Sequence, residues 1–326
     1  MNTILVTGAA GFVGSYVAER LLRRGERVLG IDNFNDYYEP ALKEARAARL
    51  CAYPEFRLAR IDFADAAALS DEMTRETIDR VVHLGAQAGV RYSIDNPFAY
   101  ERSNLAGHLS ILEACRHAPG IEHLVYASSS SVYGDRPSSS AAFSEADRVD
   151  EPVSLYAATK RACELMSTTY GRLYGIPQSG LRFFTVYGPE GRPDMAYYSF
   201  TRKILAGEPI EVFGEGRMKR DFTYIDDIVD GVVGILDRPP ECGINRILNI
   251  GNDRPEMLMT FIEIIERSLG REAIKVMRPM QPGDVTETWA DISRINALTG
   301  YAPKVRLDVG LPRFVEWYRS YARAHG

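Results

Sequence analysis

The chain of 326 residues is poor in the residues that build metal centres and covalent frameworks. Its four cysteines, Cys51, Cys115, Cys163 and Cys242, lie far apart with no C-x-x-C pair. That excludes a disulfide scaffold and predicts reduced, mostly buried thiols. Five histidines form no H-x-x-x-H pair and do not gather with the cysteines, so no metal is expected. No stretch approaches the roughly 18 apolar residues of a membrane span. The N-terminus also lacks a basic segment with a small-residue cleavage site, so a cytoplasmic location is expected. Basic charge is in deficit. Lys plus Arg number 39 against 44 Asp plus Glu, a net −5, which argues against nucleic acid or an anionic membrane as partner. A few local arginines can still hold a small anionic ligand.

What is present is globular. Hydrophobic residues make up 45% and charged residues 25%, ordinary values that exclude disorder, and the length implies about two domains. In the first half, short β-rich runs alternate with helical patterns. Thr3–Val6, Arg27–Ile31, Phe56–Ile61, Arg80–Leu84, His123–Ala127 and Gln178–Phe184 read as strands. Phe12–Arg24 (with Gly25 as its cap), about Phe98–Arg116 and about Ser154–Tyr174 read as helices. This rhythm predicts an α/β fold, a doubly wound parallel sheet with right-handed crossovers. Two long connections, 33–55 and 128–152, stand out as functional or mobile. After Tyr187 the chain becomes rich in Gly, Pro and Arg, which suggests a second, smaller α/β domain. Arg246–Gly251 reads as a strand returning to the first sheet. The expected division is 1–184 plus about 222–253 for a nucleotide-binding domain, and about 185–221 plus 254–326 for a substrate domain.

Directly after the first strand comes Gly8-Ala9-Ala10-Gly11-Phe12-Val13-Gly14, which opens the first helix. Glycines permit a tight turn and close approach of backbone to a pyrophosphate, while the helix N-terminus offers N–H groups and positive dipole. Asp32 closes the second strand, where its carboxylate can take both adenosine ribose hydroxyls and would repel a 2′-phosphate. NAD is therefore expected over NADP. Asp62 and Phe63, after the third strand, can meet the adenine.

Tyr156-Ala157-Ala158-Thr159-Lys160 places a phenol and an ammonium on one helix face. A nearby cation lowers a phenol toward working pH, which makes a general acid/base for a carbinol proton. The run Ser128-Ser129-Ser130-Ser131 ends the preceding strand, on the side where open parallel sheets bind ligands.

Together these residues resemble the extended short-chain dehydrogenase/reductase superfamily, and within it the UDP-glucuronate 4-epimerase family. The resemblance covers nearly the whole chain. It also rests on Asp32–Tyr38, Gln87–Ser93, Arg182–Pro189, Gly191–Ala196, Arg220–Asp227 and Gln281–Val285. It implies a Rossmann fold, bound NAD, a UDP-sugar substrate and a homodimer. By position, Tyr156 is the base, Lys160 its partner and Ser129 the hydroxyl on the sugar O4. Gly8, Gly11, Phe12, Val13, Gly14, Asp32, Asn33, Asp62, Phe63, Leu84, Gln87, Asn104, Tyr156 and Lys160 fall to the cofactor. Ser129, Ser130, Ser131, Thr185, Arg192, Phe213, Arg220 and Asp284 fall to the substrate. Two positions depart from the pattern: Gln281 replaces an arginine of many UDP-sugar epimerases, and Glu190 stands where a tryptophan is expected. The implied reaction is inversion of carbon 4 of UDP-glucuronate. UDP-glucose 4-epimerase and UDP-glucuronate decarboxylase are the alternatives on this scaffold, and a non-catalytic NAD sensor is the alternative outside enzymes.

Overall fold

The structure, a computed structural model, describes residues 3–135, 141–280 and 287–325. Asp284 and Gln281 lie outside the described residues, so their expected roles are not addressed by it. The strands in chain order are β1 (Thr3–Thr7), β2 (Arg27–Ile31), β3 (Phe56–Ala59), β4 (Ile78–His83), β5 (His123–Ser129), β6 (Gln178–Phe183), β7 (Thr185–Tyr187), β8 (Ile210–Phe213), β9 (Lys219–Tyr224), β10 (Asn245–Ile250), β11 (Pro255–Met257), β12 (Lys275–Arg278) and β13 (Glu287–Thr288).

Seven of them form one sheet in the order β10-β6-β5-β4-β1-β2-β3, with every pair parallel. β1 is buried along its whole length, as a strand covered on both faces must be. The strand order reverses between β1 and β4. The crevice that opens there, beyond the carboxyl ends of the strands, is where such sheets bind ligands. Helix Phe12–Arg23 buries Phe12, Val17, Ala18, Leu21 and Leu22 and stops at Arg24 and the left-handed Gly25. Helix Ile225–Leu236 packs beside it, and Arg24 pairs with Asp237 at 2.8 Å.

The single helix expected over Phe98–Arg116 is instead composite. A short turn, Pro97–Tyr100, leads into a π-helical stretch, Glu101–Ala106, before the regular helix Gly107–His117. The wide turn carries Asn104 inward. Its amide accepts from Gln87 N (2.9 Å) and donates to Gln87 O (3.1 Å) and Thr159 Oγ1 (3.0 Å). Residue 107 must be small, because a Cβ there would lie 2.3 Å from the Phe63 ring.

Beyond β6 the chain builds a second layer of smaller sheets. β9 pairs with β7, β11 and β13, and β8 with β12. β10 then returns to the large sheet beside β6, placing the two parts in alternation along the chain.

Candidate active site

The turn after β1 is enforced by sterics. Gly8 has φ +68° and its missing Cβ would sit 2.8 Å from Gly85 N. A Cβ on Gly14 would lie 2.0 Å from Gly8 O. The following helix has Gly11 at its N-cap with no side-chain cap and no acid in its first turn, so its N–H groups face the crevice unopposed by negative charge. Asp32 is buried. Its Oδ2 accepts from Ala10 N at 3.0 Å and its Oδ1 from Phe34 N at 2.9 Å. Each oxygen keeps capacity for one ribose hydroxyl. This cradle fits a dinucleotide. The Asn33 side chain caps Asn35 N at 3.2 Å at the exposed edge. Leu84 N donates to Thr7 O at 3.3 Å at the end of β4.

Two residues expected at the adenine already have protein partners. Asp62 pairs with Arg102 at 2.9 Å and caps Ala64 N at 2.9 Å. The Phe63 ring is buried against His83, with centroids 5.2 Å apart. With its ring buried, Phe63 can meet a base only through its backbone, while the partly exposed Asp62 carboxylate keeps acceptor capacity. Asn104, expected to touch the cofactor, spends its side chain on Gln87 and Thr159.

Helix Leu155–Tyr174 begins at Ser154, whose Oγ accepts from Ala157 N at 3.1 Å, and ends at the left-handed Gly175. Its first two turns carry Tyr156 and Lys160. Lys160 is buried and donates to Ala127 O of β5 at 2.9 Å, which fixes the helix against that strand. Tyr156 is half-buried, its ring edge-on to Tyr100 at 6.1 Å. At the end of β5, Ser129 Oγ donates to Ser131 Oγ (3.0 Å) and accepts from Ser131 N (3.2 Å). Beneath Lys160 lie His83 and His108, with ring centroids 5.3 Å apart. Burial pushes His83 well below the usual imidazole range and His108 down to about 3. Both are therefore neutral at working pH.

The first serine of the run has a different task. Ser128 Oγ donates to Glu164 Oε1 at 2.7 Å, deep in the core. Glu164 is also forked to Arg182 at 2.8 and 2.9 Å and paired with Arg161 at 3.0 Å. Burial opposes its charge, but Arg182 more than offsets this and holds the carboxyl below its ordinary range. This cluster ties β5, β6 and the Tyr156 helix together under the site. The sequence held a signal for it: Glu164 extends the Tyr156–Lys160 spacing by one more turn, on the same face.

The loop after β7 brings up Arg192. Asp194 takes its Nε (3.0 Å) and Nη2 (2.5 Å), and Tyr37 donates to Asp194 Oδ2 at 3.2 Å. Glu190 has φ +57°. Its carbonyl accepts from Arg46 and its carboxylate from Arg49 at 2.8 Å. The fully buried Arg46 also donates to Ala10 O at 3.0 Å, so one guanidinium joins the glycine turn to the loop bearing Arg192. Thr185 opens β7 and is half-buried. The Arg220 side chain lies along Lys219 O (3.0 Å) and Met218 Sδ (3.4 Å). Phe213, expected by the uracil, is covered by the Arg91 guanidinium at 5.3 Å. Arg46 was not singled out by sequence reasoning, and Tyr37, Arg91 and Asp194 lie in stretches that carry the resemblance but were given no role of their own. Arg46 sits in an Ala/Arg-rich helix, Pro40–Cys51, that reads as solvated surface.

Residues 4–251 match the model of the NAD dependent epimerase/dehydratase family. A probable UDP-glucuronate 4-epimerase of Rhizobium meliloti is 46% identical, over 98% of each chain. UDP-glucuronate 4-epimerase 3 of Arabidopsis thaliana is 47% identical over 98% of this chain and 77% of its own. The crystal structure of UDP-glucuronic acid 4-epimerase from Bacillus cereus, in complex with UDP-glucuronic acid and NAD, superposes with a TM-score of 0.91. It is 36% identical and covers 98% of this chain and 99% of that one. The glycine turn, the Asp32 carboxylate, the serine run and the Tyr156–Lys160 pair thus stand in a shared framework, and the chain belongs to the NAD-dependent epimerase/dehydratase family.

Proposed function

We propose that this protein inverts carbon 4 of UDP-glucuronate to give UDP-galacturonate through a 4-keto intermediate. The observation that supports the reading is the bond from Lys160 to Ala127 O, which sets the helix bearing Tyr156 against β5, the strand that ends at Ser129. Tyr156 as phenolate takes the 4-hydroxyl proton, and Ser129 holds the same oxygen. Lys160 supplies positive charge one helical turn away, pinned by Ala127 O. NAD, when bound, supplies the reversible acceptor for the carbon-4 hydride. Gly8, Gly11 and Gly14 with the backbone N–H groups of Phe12 and Val13 would hold its pyrophosphate, and Asp32 its adenosine ribose. UDP binds far from the reacting carbon and can retain the intermediate while the sugar turns. Arg192 and Arg220 are the cations on the substrate side, with Asp284 assigned to the uridine ribose by resemblance.

A 4-keto uronate is a β-keto acid and loses CO₂ once its carboxylate bond aligns with the carbonyl π system. Ser130, Ser131 and Thr185 are hydroxyl donors that hold the carboxylate out of that alignment. No acid stands beside Ser129 in the serine run, which favours epimerisation over the decarboxylase alternative. Tyr156→Phe is expected to abolish turnover while keeping NAD. NMR of products from UDP-glucuronate, UDP-galacturonate and UDP-glucose decides the reaction. Turnover of UDP-glucose alone, or UDP-pentose as the main product, overturns the assignment.

The same reading includes a homodimer and a cytoplasmic place. Phe98 (80% exposed), Leu109, Leu165 and Leu173 (64%) project from the helices on that flank, and a second copy would cover them. All four cysteines are free, which suits a reducing compartment. Light scattering tests the dimer. A monomeric mass unchanged by Leu165→Glu would refute it.

A further inference from the structure

We propose that Asp194 and Tyr37 are positioning residues that make the site selective for an acidic sugar, by fixing which edge of the Arg192 guanidinium meets the substrate. The proposal rests on the reading above that the substrate is a UDP-uronate. A guanidinium has five N–H donors in a rigid planar fork. Asp194 occupies the Nε edge through both carboxylate oxygens. That leaves the end edge, with both hydrogens of Nη1 and one of Nη2. Nη1 has no hydrogen-bond partner among the described residues, and the side chain keeps a quarter of its surface exposed. Arg192 shares its surroundings with the catalytic phenol: Tyr37, which bonds Asp194, is joined through the rings of Tyr92 and Tyr100 to Tyr156, with successive centroids 4.8, 6.2 and 6.1 Å apart.

Asp194 is itself held. The Tyr37 hydroxyl donates to its Oδ2, and the Tyr37 ring packs on Tyr92 with centroids 4.8 Å apart. The fit of that hydroxyl is tight: a Cβ on Gly89, whose φ is +101°, would lie 2.5 Å from it. Tyr37 belongs to the segment that follows Asp32, whose carboxylate fixes Phe34 N. A chain of contacts therefore runs from the ribose-binding segment through Tyr37 and Asp194 to Arg192. As an ion pair, Arg192 and Asp194 add no net charge to the pocket. Selectivity then comes from a correctly aimed fork, which pairs two-pronged with a carboxylate and only weakly with a hydroxymethyl group. Without Asp194 the long arginine side chain is free to rotate, and the aim is lost.

The test uses the NAD-loaded protein and its variants Asp194→Ala, Asp194→Asn and Tyr37→Phe, with NAD content and thermal unfolding as checks of integrity. Dissociation constants for UDP-glucuronate, UDP-glucose and UDP are measured by calorimetry, with KM and kcat for the uronate. Asp194→Ala is expected to weaken UDP-glucuronate tenfold or more while UDP-glucose and UDP stay within twofold, KM rising more than kcat falls. Asp194→Asn keeps one acceptor and should lose less. Tyr37→Phe should act in the same direction by about threefold. Equal weakening of all three ligands would overturn the proposal, since it would mark a merely structural loop. Tighter UDP-glucuronate binding in Asp194→Ala would overturn it too, because Asp194 would then be a competitor of the substrate. Wild-type protein that binds UDP-glucose as well as UDP-glucuronate would sink the substrate reading and this proposal together. Failure in the variants with an intact wild-type preference sinks the proposal alone.

Discussion

The two ends of the crevice meet negative charge by different means. At the dinucleotide end the donors are backbone N–H groups of a helix that carries neither a side-chain cap nor an acid in its first turn. Their positions are set by glycines that nothing larger can replace. At the proposed sugar end the candidate donors are side chains, and both arginines are held by further protein groups: Arg192 by Asp194, Arg220 by Lys219 O and Met218 Sδ. A backbone site has little freedom to lose on binding. An arginine has several rotatable bonds, and ordering it costs about 1.5–2 kcal/mol unless partners have already done so. The comparison predicts that the first end fails sterically and all at once, while the second fails by degrees and can change its preference without losing its fold.

The harshest test of the steric end is Gly14→Ala. The new Cβ would stand 2.0 Å from Gly8 O, a backbone atom that cannot swing away. The variant is expected to purify without NAD, read from its absorbance ratio, and to show no cooperative thermal transition. Normal NAD content would mean that the turn is softer than its contacts imply. Below the crevice, Glu164→Gln leaves Arg182 buried beside a neutral amide. Breaking a buried pair from one side costs about 3–5 kcal/mol, and the retained carbonyl acceptor puts the expectation at about 3 kcal/mol, measured by urea unfolding. Activity should fall as well, because Ser128 and Arg182 must then share the single carbonyl oxygen that the amide keeps, which loosens the start of the serine run.

Acid should separate the two ends. In the large sheet and the helix Gly107–His117, burial pushes His83 well below its ordinary value, His108 to about 3 and His123 to about 4. The unfolded chain takes protons on these rings near pH 6.5 while the native state refuses them. Their contribution is full above pH 6.5 and is lost as pH falls, at about 1.4 kcal/mol per pH unit for each. On β9, burial raises Asp221 to about 6, against the opposing pull of the Ala290 and Asn252 N–H groups. Its native carboxyl binds a proton before the unfolded one does, so its contribution is present at low pH and lost as pH rises through 6. Hydrogen exchange compared at pH 7.5 and 5 should show β1, β4 and β5 losing protection relative to β9. Equal losses in both parts would break the comparison.

The sequence was most legible where geometry leaves little choice. Three glycines spaced after a strand, with an acid at the end of the next strand, suit a dinucleotide turn and little else. The alternating strands and helices lead directly to the parallel sheet. Tyr156 and Lys160 were legible as a spacing on one helix face. Arginine roles were not, because the same residue type serves surfaces, cores and ligands alike. Arg46 has no pattern of its own, and its three acceptors are Ala10 O, the Tyr38 hydroxyl and Glu190 O, far apart in sequence. The π-helical turn at Asn104 was hidden for a related reason: nothing in Glu101–Ala106 announces one, and it arises where two helices and the β4 loop meet. Asp62 and Phe63 were assigned to the adenine from their place after β3, a position that leaves open where each side chain turns.

The gentlest test concerns Glu190, one of the two departures from the family pattern. Its φ of +57° is a conformation that favours glycine, and holding another residue there costs about 1 kcal/mol. Against this stands one partly exposed ion pair with Arg49, which contributes at most about 1 kcal/mol. Glycine at this position would also add about 0.5–1 kcal/mol of entropy to the unfolded chain. These terms nearly cancel, so Glu190→Gly should change stability by no more than about 1 kcal/mol. The bond from Arg46 goes to the Glu190 carbonyl and survives the substitution, so Arg192 should stay in place and KM for UDP-glucuronate should not move. A clear rise in KM with stability unchanged would show that the carboxylate of Glu190, rather than its backbone, carries the loop. The sugar end would then depend on charge one layer deeper than Asp194.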